Sequence, residues 1–488
     1  MLGLWGICLK VRDIEFGLSY SDVLLIPRRS SIDSRKVVDT NTTIANGIDL
    51  HVPLISANMD TVTEAAMAIA MAREGGLGVI HRFMTIEGQT AEVQKVKRSE
   101  AYIIENPYRI TKDVTVGEAR NLMEREAVSG LLVVDGSNKL LGILSDRDIR
   151  FAKNEKAPVS KAMTPRSKLT VGKPEISIDE AIETVDRHKL EKLPLVDRNN
   201  VVHGLITSKD LYRRRMSGRS AMDRKGHLLV GAAIGVKGDF IQRAVSLSDA
   251  GTDIIVLDIA HGHADSVISA IRKVKKELPD MPLVAGNVAT AQAVGDLAGA
   301  GADSVKVGIG PGAACTTRRV TGAGMPQLTA VIDCSEAAKE YGVSTIADGG
   351  MKESGDITKA LAAGADAIMS GSLFAGTDES PGFFVRRNGT KYKAYRGMSS
   401  FGANISRKKL DNAVVDPQDA FDIVPEGVES SVPYKGSMKE VVYQLMGGVR
   451  SGMSYCGASN LAQLRKDAKF IRLTHSAAVE SYEKLPQY

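Results

Sequence analysis

One thiol stands among small residues. The stretch Ser304–Thr317 reads SVKVGIGPGAACTT, with Cys315 near its end and Arg318 and Arg319 just beyond. The thiolate is the nucleophilic form of cysteine, and neighbouring arginines favour it. Gly310, Gly312, Ala313 and Ala314 let a planar ligand approach the backbone closely. The competing reading is a buried, inert cysteine, the usual condition of a free thiol. A Gly-Pro-Gly turn closing a short alternating strand argues for the reactive reading, because catalytic groups tend to sit on loops held by a rigid scaffold.

Complementary polar groups recur at other strand ends. Ala347-Asp348-Gly349-Gly350 places a carboxylate before two glycines, which suits a grip on paired ribose hydroxyls. Ser370-Gly371-Ser372 offers backbone N–H groups leading towards a helix, an anion site. Together they suggest a nucleoside monophosphate with its base near Cys315. Asp258-Ile259-Ala260-His261-Gly262 closes an earlier strand, and Asp258 could meet a second ligand. His261 and His263 have no third partner at metal-ligand spacing, so a structural or solvated role is expected for both. Glu426, in a Pro-Glu-Gly turn, is by default a surface charge. Under a closing lid it becomes a group that can move protons.

These residues need a scaffold. The chain has 488 residues, room for two or three domains. A formal charge of +5 from 63 basic and 58 acidic residues does not call for nucleic acid, though it welcomes small anions. Cys8, Cys315, Cys334 and Cys456 show neither metal nor disulfide spacing, consistent with a reducing, cytoplasmic setting. No apolar run reaches the length of a membrane span. Met1–Leu9 is apolar but short and lacks a basic start, so a secretory signal is not expected. The last residues, Pro486-Gln487-Tyr488, are not the Ser-Lys-Leu address of the alternative setting, a peroxisome-like organelle.

Short apolar runs alternate with helical patterns. They are Val52–Ser56, Leu77–His81, Leu228–Val236, Asp253–Ala260, Pro282–Val288, Ser304–Gly310, Thr345–Gly350 and Ala367–Gly371. Eight such units predict an α/β fold, the (β/α)8 TIM barrel, whose ligand chemistry sits at the C-terminal strand ends. Between the second and third runs lies an insertion too long for a βα loop. It is an internal repeat, SGLLVVDGSNKLLGILSDRD at Ser129–Asp148 and KLPLVDRNNVVHGLITSKD at Lys192–Asp210. In each half a hydroxyl stands three residues before an acid, Ser145 with Asp148 and Thr207 with Asp210. That spacing caps a helix, and it could equally offer phosphate and ribose contacts. The expected boundaries are barrel at 1–100, insertion at 101–218 and barrel at 219–488. Lys391–Ile405 and Lys408–Ser431 are expected to form a mobile lid or a disordered excursion.

The repeat resembles tandem CBS modules, a Bateman domain. That resemblance implies purine nucleotide effectors held near Ser145, Asp148, Thr207 and Asp210. Across almost the whole chain, VGIGPG..CTTR, IADGG, SGSLFAG, YRGM, VPYKG and GG.RSGM.YCGA resemble the IMP dehydrogenase / GMP reductase family. The resemblance implies that Cys315 attacks purine C2, with Thr317 beside the reacting centre. It places Asp348 on the ribose hydroxyls, Gly350, Gly371, Ser372 and Tyr395 around the phosphate, and Met398 with Ser399 against the base. Carbonyls of Gly308 and Gly310, with Cys315, match those that help hold a monovalent cation (K+) in the dehydrogenases. Tetramers, which may pair into octamers in this family, are the implied assembly.

Within the family, the insertion favours the dehydrogenases, which act on IMP with NAD. Four local features side with the reductases, which act on GMP with NADPH. Asn58, counted among the substrate-binding residues, stands where dehydrogenases usually carry Pro or Ala. Asp258-Ile259-Ala260 replaces the dehydrogenase Asp-Ser-Ser that faces the cofactor. Ser399 replaces a glycine. The lid has Ser406-Arg407-Lys408-Lys409 where an adjacent Arg-Tyr pair would activate water. A reductase expels ammonia and needs a proton donor, for which Thr317 and Glu426 match. The expectation is therefore a reductase of GMP. The alternatives are an IMP dehydrogenase and a nucleotide sensor with a dead barrel. Ala313, where the family usually has a phosphate-binding serine, cuts across both enzyme readings.

Overall fold

The computed structural model describes residues 14–99, 103–126, 128–152, 154–216, 219–411 and 423–482. The chain forms two compact units. One comprises Met1–Ser99, Arg219–Asp223 and Leu228–Tyr488, and the other Glu100–Gly218 with Arg224–His227. Cys8 and the apolar Met1–Leu9 lie outside the described residues, as do residues 412–422.

The larger unit is a closed barrel of eight parallel strands. In chain order these are β1 (Leu54–Ser56), β2 (Leu77–Ile80), β3 (Val230–Ile234), β4 (Ile254–Asp258), β5 (Leu283–Val288), β6 (Ser304–Val307), β7 (Ser344–Asp348) and β8 (Ala367–Ser370). Every expected strand is present, each a little shorter than its apolar run. The helices between them include α1 (Ala65–Arg73), α2 (Phe240–Asp249) and α3 (Gln327–Tyr341).

Alternation along the strands divides the core in two. Ile255 and Leu257 of β4, Val305 and Val307 of β6, and Ala347 of β7 pack outwards against helices. Ile254 and Val256 of β4, and Ile346 of β7, point into the barrel. The antiparallel hairpin Thr42–Ala45/Ile48–Leu50 adds Ile44, Ile48 and Leu50 to that interior cluster. Successive strand residues face opposite sides, so every second residue shares a face. By that alternation Asp258, Lys306 and Asp348 occupy inward positions, with Asp258 and Asp348 at the C-terminal ends of their strands.

The expectation of a mobile Lys391–Ile405 and Lys408–Ser431 is corrected over the described residues. Thr390–Arg396 is the middle strand of a three-stranded antiparallel sheet, between Phe384–Arg387 and Glu429–Pro433. Lys393 is 2% exposed. Its ammonium donates to the carbonyls of Thr377 at 2.8 Å and Asp378 at 3.1 Å. Polar composition concealed this, because the charge is buried only once those carbonyls converge on it. Phe401–Asp411 is a helix. Among the described residues no helix is long and apolar enough to cross a membrane.

The smaller unit keeps the repeat. Gly130–Val134 pairs antiparallel with Leu140–Ser145, and Lys192–Val196 with Val202–Thr207. Both turns place an asparagine at positive φ, Asn138 at 62° and Asn200 at 64°. The turns bond reciprocally, Leu140 N–H to Asn200 O and Val202 N–H to Asn138 O, both at 3.0 Å.

Close helix–strand approach is tightest at Gly78 of β2, where an added Cβ would lie 2.4 Å from Ala68 Cα of α1. Gly78→Ala is expected to destabilise the barrel by about 1–3 kcal/mol, the usual cost of overpacking, read as a lowered denaturation midpoint. An unchanged midpoint would show that α1 can shift freely.

Candidate active site

A cavity of ≈ 400 Å³ opens at the C-terminal strand ends, lined by residues from most of the barrel loops. The loop after β6 is its floor. Gly308 has φ 149°, and a Cβ there would sit 2.3 Å from the Asp348 carbonyl, so only glycine fits. Gln327, at the start of α3, is 2% exposed. Its amide donates to the carbonyls of Val307 at 2.8 Å and Asp348 at 3.2 Å, tying β6 to β7. Arg318 donates to the carbonyls of Ile309, at 3.0 Å, and Met325. It therefore holds the loop as well as standing near the thiol.

Cys315 is half-buried, whereas Cys334 and Cys456 are buried. Burial pushes the Cys334 thiol up to about 12, which leaves it inert. Cys315 Sγ lies 3.2 Å from Thr317 Oγ1, and the Thr317 hydroxyl donates to Glu426 Oε2 at 2.7 Å. The three groups form a continuous chain from thiol to carboxylate. Residues 426–428 are stitched across the loop: Thr316 N–H donates to Glu426 O at 2.8 Å, and Val428 N–H to Ala314 O at 2.9 Å. Glu426 N–H donates to Ser399 O at 3.1 Å, and Gly397 N–H to Val428 O at 3.1 Å. Glu426 is thus docked in the site and is not a free surface charge.

On one side the cavity meets Gly349, Gly350, Ser370, Gly371, Ser372 and Tyr395. A Cβ on Gly371 would meet Met59 Sδ at 2.4 Å and Tyr395 Oη at 3.2 Å. Burial, helped by the nearby Asp348 carboxylate, pushes the Tyr395 hydroxyl up to about 12. It stays protonated and can donate to an anion. Ala313 lines the same wall and offers no hydroxyl. Met398 and Ser399 also face the cavity. Arg396 forms an ion pair with Asp60, and Asp60 N–H donates to Met398 Sδ at 3.4 Å. The segment after β1 is thereby fastened to the segment bearing Tyr395 and Met398.

The other side carries Asn58, Asp258, Ile259 and Ala260, with Arg82 and Phe83. Asn58 Nδ2 donates to Asp258 Oδ2 at 2.9 Å. The sequence reading set Asn58 against the nucleotide. In the structure Asn58 lines the cavity and its side chain also orients Asp258.

Several residues were missed from sequence. Lys306, 2% exposed, lies between Asp258 at 2.7 Å and Asp348 at 2.6 Å. Asn287 accepts from Lys306, and donates to Gly308 O at 2.8 Å and Asp348 Oδ2 at 3.0 Å. The Gly308 carbonyl expected to face a cation is therefore already engaged by Asn287. Arg407, from the helix Phe401–Asp411, also reaches the cavity. One signal was available for Lys306: a charge at an inward-facing strand position that must be buried and therefore paired.

His261 and His263 do not line the cavity, and His263 Nε2 lies 2.7 Å from Asp296 Oδ2 at the surface. Among the described residues no group of three or more His, Cys, Asp or Glu could hold a metal. In the smaller unit, Ser145 Oγ donates to Asp148 Oδ2 at 2.6 Å, a capping box. Thr207 Oγ1 likewise accepts from Asp210 N–H at 3.2 Å. Thr207 and Asp210, with Ser129, Lys192 and Lys209, line a cavity of ≈ 490 Å³, and Ser145 and Asp148 do not.

Comparison with known proteins agrees with this geometry. The IMP dehydrogenase / GMP reductase domain model matches residues 17–483. Inosine-5'-monophosphate dehydrogenase of Nitrosopumilus maritimus is 49% identical over 470 residues, covering 96% of this chain and 98% of the relative. The enzyme of the same name from Bacillus subtilis is 48% identical over 468 residues, covering 96% and 95%. Among solved structures, a cysteine-to-alanine variant of GMP reductase from Trypanosoma brucei, in complex with guanosine 5'-monophosphate, superposes with a TM-score of 0.84 at 42% identity. The match covers 96% of this chain and 98% of that one. The GMP reductase of that organism in complex with guanosine 5'-triphosphate gives 0.75 at 38% identity, covering 95% and 99%. With the Cys315 loop and the Asp348 strand end set on an eight-stranded barrel, and with matches along nearly the whole chain, the chain belongs to the IMP dehydrogenase / GMP reductase family.

Proposed function

We propose that the chain is a GMP reductase: GMP and NADPH, with protons, give IMP, ammonium and NADP+. The observation that carries the reading is the Cys315–Thr317–Glu426 chain, with Arg407 at the cavity and no tyrosine beside it in sequence. Cys315 Sγ, Thr317 Oγ1 and Glu426 Oε2 are linked at 3.2 and 2.7 Å. No tyrosine occurs between Tyr395 and Tyr434.

In this mechanism the thiol gives its proton through Thr317 towards Glu426, and the sulfur adds to purine C2. The exocyclic amine takes a proton back along the same path and leaves as ammonia, so a covalent thioimidate remains. Reduced nicotinamide, when bound, supplies the hydride that C2 accepts. The C–S bond then breaks and Cys315 is regenerated. Asp348 binds the ribose hydroxyls, and Tyr395 with the loop around Gly371 and Ser372 binds the phosphate. Asp258, Ile259 and Ala260, with Arg82 and Phe83, would hold the dinucleotide. Excluding water protects the adduct from hydrolysis.

The second reading, IMP dehydrogenase with NAD, draws on the names of the sequence relatives at 48–49% identity. It requires a base to activate water over the adduct, and Arg407 would have to serve without a tyrosine beside it. Incubating the protein with GMP and NADPH, and separately with IMP and NAD, separates the two. Consumption of NADPH with ammonia release is expected. NADH formation from IMP without GMP-dependent NADPH loss would reverse the assignment, and no turnover of either pair would favour a sensor.

Cys315→Ala is expected to lower turnover by at least about a thousandfold, as loss of a nucleophile does. Retained turnover would rule out the covalent path. Glu426→Gln is expected to cut kcat by about 10²–10⁴-fold, the usual worth of general acid–base catalysis, with little change in nucleotide KM. Ala313→Ser is expected to lower nucleotide KM by about tenfold, because it adds a hydrogen bond to a charged phosphate. A KM that stays put would mean backbone amides already saturate the phosphate. For the insertion, the proposal is regulation by purine nucleotides through the Thr207/Asp210 cavity. Asp210→Asn in the full chain is expected to weaken the response to GTP or ATP by about tenfold, and an unaltered response would place effectors elsewhere.

A further inference from the structure

We propose that Lys306 is a positioning residue shared by both binding sites, holding the carboxylate that meets the nucleotide and the one that faces the dinucleotide on a single buried ammonium. The inference rests on the proposed reading of Asp348 and Asp258.

An ammonium has three N–H donors. On Lys306 they go to Asp258, Asp348 and Asn287. None is left for a ligand, so Lys306 acts through its partners. Burial alone would push its ammonium down, but the two carboxylates raise it above the usual lysine range and keep it charged. Burial alone would likewise raise the Asp258 carboxyl, yet Lys306 and Asn58 hold it below the usual carboxylate range. Asp258 therefore stays ionised beside the charged ammonium.

The geometry assigns each carboxylate a fixed face. Asp348 Oδ2 accepts from Lys306 at 2.6 Å and from Asn287 at 3.0 Å, which leaves Oδ1 for a ligand hydroxyl. Asp258 is held through both oxygens, Oδ1 by Lys306 at 2.7 Å and Oδ2 by Asn58 at 2.9 Å. Without the ammonium, two carboxylates would share one buried space uncompensated. One would take up a proton or turn away, and either response spoils a hydroxyl acceptor.

The test measures binding by titration calorimetry in a Cys315→Ala parent, so that no turnover intervenes. Ligands are GMP, IMP, NADP+ and NAD+. Lys306→Met is expected to weaken the preferred nucleotide and the preferred dinucleotide by about tenfold or more each, the loss expected of charged hydrogen bonds. Adding Asp348→Asn should then cost no further nucleotide affinity, and adding Asp258→Asn no further dinucleotide affinity. Losses that sum in the double variants, or a folded Lys306→Met that binds either ligand as the parent does, would overturn the inference. If Lys306→Met does not fold, Lys306→Arg keeps the charge but not the three-donor geometry. A smaller loss of both ligands supports the proposal, and loss of one or neither contradicts it. A parent that binds no nucleotide at all would instead sink the functional reading, and this inference with it.

Discussion

A charge buried at the mouth of a parallel barrel is the constraint around which the site is arranged. Lys306 stands at 2% exposure, beside a barrel interior built largely from apolar side chains. Removing one partner of such a pair costs about 3–5 kcal/mol, because an uncompensated charge is left in a poor solvent. The barrel tolerates the ammonium because β4 and β7 end in inward carboxylates and Asn287 reaches in from β5. Two acids and one base leave the cluster with one net negative charge. Hydroxyl donors suit such a surface better than anions do, and the neutral Tyr395 hydroxyl borders the same cavity.

The reactive loop is held by a different means. It has few side chains of its own to bury, and its order comes from backbone bonds made by distant segments. Residues 426–428 bond to Ala314 and Thr316 on one side and to Gly397 and Ser399 on the other. Gln327 and Arg318 occupy the carbonyls at its base. The thiol, the hydroxyl and the carboxylate are therefore brought into line by segments separated by more than a hundred residues, since Thr317 and Glu426 are 109 apart. The Thr317–Glu426 contact exists only while the 426–428 segment is docked.

The eight-stranded barrel was legible because parallel strands, buried on both faces, read as near-continuous apolar runs with helical patterns between them. The insertion was legible through its repeat, and so was the capping role of Ser145 with Asp148. Local chemistry of this kind is set within a few residues. Lys391–Ile405 was read less well and the partner of Asn58 was not read at all, both for the same reason. Asn58 finds Asp258 across 200 residues, and Lys393 finds its carbonyl cage only after the antiparallel sheet forms.

By itself, then, the sequence determined the strand order, the thiol, the strand-end acids and the family. Each is a matter of residue type at a local spacing, and folding does not change it. Tertiary structure alone decided that Lys306 is shared by two acids, that Glu426 joins a line of contacts from the thiol, and that of the two hydroxyl–acid pairs only Thr207/Asp210 borders the ≈ 490 Å³ cavity. Those outcomes depend on which oxygens converge on one point in space. Nothing along the chain encodes that distance until the barrel closes.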